Sequence, residues 1–166
     1  ARTLDYSNMK VGDKIPLNIK ILDINNNDVT LDKFQGKYLV IYFYPKDNTP
    51  GCTTEACEFR DYNKDIEALG VEVIGISKDS PKSHRKFIEG HKLNFTLFSD
   101  ENHKLQEAFG VWTEKKFLGK TYMGTQRSTF IIDPEGEVLK VWPEVKPLGH
   151  AQDVYESLKE ILNSNS

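Results

Sequence analysis

The run KYLVIYFY, Lys37 to Tyr44, decides the architecture of this 166-residue chain. Nearly every position is apolar, and β-branched and aromatic side chains dominate. Alternating polarity would mark a strand with one wet face. An unbroken apolar run of this length marks a strand covered on both faces, at the centre of a sheet.

Downstream, Pro50–Leu69 reads as a helix closed by Gly70, and Val71–Ser77 as a second buried strand. A helix near Pro81–Gly90, a short strand Phe95–Phe98 and a short helix Glu101–Phe109 ending at Gly110 come next. Ser128–Ile132 and Glu137–Trp142 form a hairpin across Asp133-Pro134-Glu135-Gly136. A last helix over Gly149–Leu162 places Val154, Leu158, Ile161 and Leu162 on one face. Upstream, Pro16–Leu31 reads as an N-terminal β-hairpin with Asn25–Asn27 at its bend. Between the short helix and the second hairpin, Trp112, Phe117 and Tyr122 read as loop anchors or partly buried core. Lys115 and Lys116 read as a solvated turn. This order implies an α/β fold with a central mixed β-sheet flanked by helices, as one domain over residues 1–166. The strands Lys37–Tyr44 and Val71–Ser77 are expected to run parallel, with the Pro50 helix as their crossover.

Composition narrows the function. Hydrophobic residues make up 38% and charged residues 28%, the balance of a globular domain. A net charge of −3 gives no electrostatic footprint for nucleic acid or an anionic membrane surface. No apolar run approaches the ~20 residues of a membrane span, and Ala1–Lys10 lacks the apolar stretch of a secretory signal. With two cysteines, a cytoplasmic protein in a reducing compartment is expected, and the thiols read as reactive, metal-binding or buried. His84, His91, His103 and His150 show no ligand spacing with Cys52 or Cys57, so no metal site is expected.

In sheets of this kind, ligands gather at the carboxyl ends of the strands. Pro45–Cys52 leaves the carboxyl end of the most apolar strand. Thr49-Pro50-Gly51-Cys52 reads as a helix start, with Thr49 as N-cap, Pro50 at N1 and Cys52 in the first turn. Unpaired N–H groups and the positive end of the helix dipole favour a thiolate there. Gly51 would leave room for a small substrate to reach the sulfur. The helix end contributes only ~0.3–1 kcal/mol, and Glu55, one turn on, opposes a second negative charge. A fixed cation from another strand is needed. Arg127, just before the buried run Ser128–Ile132, is the best placed.

Cys57 lies five residues after Cys52. On a straight helix that spacing separates the two by about 140° in azimuth and ~8–9 Å between Cα atoms. A disulfide tolerates ~7 Å at most. A bridge between them would require the first helical turns to unwind, which makes it a switch and not a staple.

The run from Tyr44 to Asp61, YPKDNTPGCTTEACEFRD, closely resembles the peroxiredoxins, and within them the bacterioferritin comigratory protein or peroxiredoxin Q branch with two cysteines in one chain. The family's Pro-x-x-x-Thr-x-x-Cys signature falls on Pro45, Thr49 and Cys52. The branch's second cysteine falls on Cys57. A block from Phe109 through Lys115, Lys116 and Gly119 to Arg127-Ser128-Thr129-Phe130 resembles the same branch, as do Val11-Gly12-Asp13 and Leu31–Gly36.

The resemblance implies a thioredoxin-like fold and a thiol-dependent peroxidase without cofactor. Cys52 would attack the hydroperoxide and become a sulfenic acid. Thr49 would hydrogen-bond thiolate and peroxide, Arg127 would stabilise charge on the separating oxygens, Pro45 would shield the sulfur, and Glu55 would orient Arg127. Cys57 would resolve the sulfenic acid as a disulfide, and thioredoxin or a similar dithiol would regenerate both thiols. Resolution within one chain suggests a monomer. The chain lacks the Gly-Gly-Leu-Gly loop and Tyr-Phe ending linked to overoxidation in the dimeric branch, so tolerance of excess peroxide is expected. A disulfide oxidoreductase on the same fold would want C-x-x-C, whereas the spacing here is C-x4-C. A redox sensor that uses the same thiols is the remaining alternative.

Overall fold

The computed structural model describes residues 9–164. The strands are β1 (Ile21–Leu22), β2 (Asp28–Val29), β3 (Tyr38–Phe43), β4 (Val71–Ser77), β5 (Thr96–Ser99), β6 (Trp112–Phe117), β7 (Lys120–Thr125), β8 (Ser128–Ile132) and β9 (Val138–Trp142). The helices are α1 (Pro50–Ala68), α2 (Pro81–His91), α3 (Lys104–Ala108) and α4 (His150–Ser164). Seven strands form one sheet in the order β2-β1-β5-β4-β3-β8-β9. β3, β4 and β5 are parallel, and the strands outside them join antiparallel. This is the mixed sheet expected from the sequence, with α1 joining β3 to the adjacent parallel β4.

β3 is buried on both sides because both faces of the sheet are covered. Val40, Tyr42 and Tyr44 enter a core with Phe59 and Ile66 of α1, Phe87 of α2, and Val154 and Leu158 of α4. Leu39, Ile41 and Phe43 enter a second core with Leu31, Phe34, Leu105, Phe130 and Val138. The Tyr42 ring stacks on Phe59 at 4.7 Å and lies opposite Gly75 of β4. A Cβ at Gly75 would stand 2.9 Å from that ring and 2.8 Å from Leu97, so only glycine lets the tyrosine lie across the strand.

Three segments differ from their sequence reading. The N-terminal hairpin is present, but each strand is two residues long. The stretch read as loop after the short helix is instead the two-stranded hairpin β6–β7, separate from the main sheet. Phe117 and Tyr122 are not core anchors there. They are 66% and 50% exposed. Its turn, Leu118-Gly119, has φ of 51° and 78°. Two positive φ values suit the twist of a two-residue hairpin loop, but asparagine or aspartate normally signals the first of them. Leucine gave no such signal. The short helix is also trimmed, because the Asp100 carboxylate accepts from the N–H groups of Leu105 and Gln106 and holds the preceding residues in a turn. Among the described residues, no helix is long and apolar enough to cross a membrane.

Candidate active site

After β3, the Tyr44 N–H donates to Ile76 O at 3.1 Å, and the chain leaves the sheet into Pro45–Thr49. Asp47 anchors this loop from inside. Its carboxylate accepts from the hydroxyls of Tyr44 (2.6 Å) and Ser83 (2.8 Å) and sits 2.8 Å from His84 Nδ1. The other ring nitrogen of His84 is 3.0 Å from Phe98 O, and the Asp47 N–H donates to Asp79 at 2.9 Å. Asp47 and His84 are both buried. Neither stood out in the sequence, because their partners come from α2 and β5.

Thr49 is the N-cap of α1 by backbone, with φ −89° and ψ 155°, but its side chain makes no capping bond. Its hydroxyl donates to Lys46 O at 2.8 Å, and no hydrogen bond joins it to Cys52. The thiolate contact expected of Thr49 is therefore not made in this conformation, since its single proton is already engaged. Pro50 takes the first helical position, and Cys52 the first turn. Pro45 is half-buried beside this start, and Cys52 is 1% exposed.

Arg127 arrives from the other side of β3. Phe43 and Ser128 are direct partners in the antiparallel β3–β8 pair. The residue before Ser128 therefore lies at the same sheet edge as the loop that follows Phe43. Val145 N–H donates to Arg127 O at 2.9 Å and pins the backbone. Arg127 Nη2 donates to Cys52 Sγ at 3.2 Å, and Nη1 donates to Glu55 Oε1 at 2.7 Å. The guanidinium thus spans two residues one turn apart on α1. Burial works against its charge, but Glu55 and Cys52 more than offset that and hold its pKa above the ordinary arginine value.

Gly51 serves this contact and not an open channel to the sulfur. A Cβ there would lie 3.2 Å from Arg127 Nη2 and 3.4 Å from Pro147 Cγ. The space next to Gly51 is filled by the guanidinium and Pro147.

Glu55 is fully buried, and its Oε2 has no partner. Burial pushes its carboxyl up to about 7, against the pull of Arg127. One guanidinium faces both this carboxyl and the Cys52 sulfur. Two residues after Arg127, the Thr129 hydroxyl is 2.7 Å from His150 Nε2. Burial pushes His150 down to about 4, and Arg127 adds to the effect despite Asp153. The imidazole is neutral there, and no second cation competes with Arg127.

Cys57 is half-buried, farther along the unbroken α1, and neither cysteine is in a disulfide. Its Sγ lies 3.9 Å from His91 Nδ1. The other nitrogen of that ring is 3.3 Å from Asn48 Oδ1, in the loop before Cys52. No sequence spacing joins His91 to either cysteine; the packing of α2 brings it there. Among the described residues, no group of three or more His, Cys, Asp or Glu side chains could hold a metal ion.

The profile described as the AhpC/TSA family matches residues 11–141. The chain is similar to peroxiredoxin Bcp of Bacillus subtilis, at 47% identity over 153 residues that cover 92% of this chain and 97% of that protein. It is 45% identical over 152 residues to peroxiredoxin Bcp of Escherichia coli K12, with 92% and 97% covered. A solved structure of the Xanthomonas campestris bacterioferritin comigratory protein, studied for alkyl peroxide reduction, superposes with a TM-score of 0.84 at 38% identity. That match covers 90% of this chain and 99% of that one. Xylella fastidiosa PrxQ superposes with a TM-score of 0.87 at 38% identity over 92% and 97%.

Proposed function

We infer the working of this site from one premise: the chain belongs to the AhpC/TSA family, alongside the Bcp peroxiredoxins. It is a thiol-dependent peroxidase with a thioredoxin-like fold, acting on peroxide at the expense of a thiol reductant. The residue roles that follow are our proposal, and one observation carries them: the Arg127 fork bridges Cys52 and Glu55.

Cys52 attacks as the thiolate. Its sulfur takes the terminal oxygen of R–O–O–H, the O–O bond breaks, and the alkoxide leaves to take a proton and become water or an alcohol. Negative charge moves from sulfur to the departing oxygen. A guanidinium already fixed beside the sulfur stabilises that charge without reorganising, which is where preorganised donors act most strongly. Glu55 aims the fork from its buried carboxyl. Thr49, whose proton goes to Lys46 O, is left as an acceptor for the peroxide O–H. Pro45 limits water at the sulfur.

Cys57 then condenses with the Cys52 sulfenic acid to give an intramolecular disulfide and water. This needs the first turns of α1 to open, because both cysteines lie on one continuous helix. A thioredoxin-type dithiol reduces the disulfide, hydrogen peroxide and organic hydroperoxides are both substrates, and the monomer is sufficient for the cycle. Stopped-flow oxidation by hydrogen peroxide tests the assignment. Cys52→Ser should abolish it. Cys57→Ser should form the sulfenic acid but fail to turn over with thioredoxin. Oxidation of Cys52 no faster than that of free cysteine would overturn the reading.

A further inference from the structure

α2 ends at His91, where Lys92 takes a left-handed conformation with φ 53°. The His91 ring lies between two elements that the catalytic cycle uses. Asn48 Oδ1 can only accept, so Nε2, 3.3 Å away, is the nitrogen that carries a proton. Nδ1 is then left with its lone pair, 3.9 Å from Cys57 Sγ, a sulfur hydrogen-bond distance. Arg60, on α1 with Cys57, donates from Nη1 to His91 O at 2.7 Å and from Nε to Asp61 at 3.0 Å. The charged and titratable groups that these contacts bring to the thiol are His91 from α2, and Arg60 with its partner Asp61 from α1. The Phe87 ring packs edge-on against the imidazole at 5.2 Å.

We propose that His91 is the base that activates Cys57 for the resolving step. The proposal rests on the reading of Cys57 as the resolving cysteine. The Cys57 thiol gives its proton to Nδ1, and the thiolate attacks the sulfur of Cys52–S–OH. An S–S bond forms and the S–O bond breaks. The hydroxide leaves with the proton held on the imidazolium, as water. The oxidising equivalent is the one peroxide has already placed on Cys52, so no further reactant enters. His91 charges the thiol while α1 is still folded, before its first turns open. When a dithiol later cleaves the disulfide, its attacking thiol releases a proton, and the ring that takes up this proton stabilises Cys57 as the departing thiolate. A histidine so placed tunes resolution separately from peroxide attack, because it touches Cys57 and not Cys52.

The test separates these two steps. In a Cys52→Ser background only Cys57 alkylates, and the thiolate is the reacting form. His91→Gln should slow alkylation by iodoacetamide by about tenfold or more at near-neutral pH, the scale of a lost acid–base partner, with little change in alkaline solution. Asn48→Gly keeps the left-handed backbone but removes the acceptor that fixes the tautomer, and it should slow alkylation in the same direction. In the protein with both cysteines, stopped-flow fluorescence should show His91→Gln leaving Cys52 oxidation unchanged and slowing disulfide formation, with recovery at alkaline pH. Unchanged alkylation and unchanged disulfide formation would overturn the proposal, and so would a matching loss in Cys52 oxidation. Normal thioredoxin-dependent turnover by Cys57→Ser would instead overturn the resolving role of Cys57, while the alkylation ratio would still report the His91 contact.

Discussion

Phe43 and Ser128 face each other across the antiparallel β3–β8 pair, 85 residues apart in sequence. That register brings the residue before Ser128 to the residues that follow Phe43, and so sets Arg127 beside Cys52. A shift of one residue would turn every side chain of β8 to the opposite face and carry the guanidinium away. Both faces of β8 are buried, so the core holds the register, and through it the site.

Arg127→Ala should lower the rate of Cys52 oxidation by about 10²-fold, the usual cost of one preorganised donor. Arg127→Lys should recover only part of this, because a single ammonium cannot bond Cys52 and Glu55 in the geometry of the fork. Stopped-flow peroxide oxidation of the two variants checks this. A lysine variant as fast as the parent would show that charge alone suffices.

Gly51→Val should slow the same step without altering any group that donates or accepts. Its Cβ would press on Arg127 Nη2 and Pro147, and the branched methyls would add to the displacement. We expect a fall of about tenfold, equivalent to ~1.4 kcal/mol in the barrier. A normal rate in Gly51→Val would mean that the guanidinium has slack.

Stability should vary with pH through two buried groups of opposite sign. The Glu55 carboxyl rises from 4.5 to about 7 on folding, so its contribution is full below pH 4.5 and is lost as pH rises through about 7. His150 falls from 6.5 to about 4, so its contribution is full above pH 6.5 and is lost as pH falls through about 4. Between 4.5 and 6.5 the two slopes oppose, which gives a plateau. The parent should lose under about 1 kcal/mol on either side of the plateau, whereas Glu55→Gln should unmask the full slope of His150, and His150→Gln that of Glu55, each about 3 kcal/mol. Denaturant midpoints across the pH range measure this. Parallel curves for parent and variants would refute it.

Asp47→Ala should destabilise the protein by about 3 kcal/mol, because two buried groups, on Tyr44 and His84, and the half-buried Ser83 hydroxyl lose their shared partner. It should also slow peroxide oxidation, since the same carboxylate fixes the loop that ends at Thr49. Thermal unfolding and stopped-flow on one sample test both effects. A stability loss with full oxidation rate would separate the anchor from the site.

The central strand, the long crossover helix and the second hairpin were legible because apolar periodicity and helix-end residues are local signals. Cys52 at a helix start and the need for a cation were legible for the same reason. The β6–β7 hairpin was not, because Leu118 occupies a left-handed position that its residue type does not advertise. Thr49 is an N-cap in its backbone but not in its side chain, because the hydroxyl turns back to donate to Lys46 O and its oxygen accepts from no first-turn N–H. Glycine at position 51 signals open space, and the guanidinium occupies that space.

The buried parallel core, the placement of Cys52 in the first turn of a helix, and the separation of Cys57 from it by more than a turn are encoded locally. These follow from side-chain period and backbone preference over a few residues. That Arg127 spans Cys52 and Glu55, that Asp47 meets His84, and that His91 stands beside Cys57 depends on how distant elements pack. Those contacts join residues 34 to 75 apart in the chain. Their distances are set by strand register and helix packing, which no local stretch of sequence encodes.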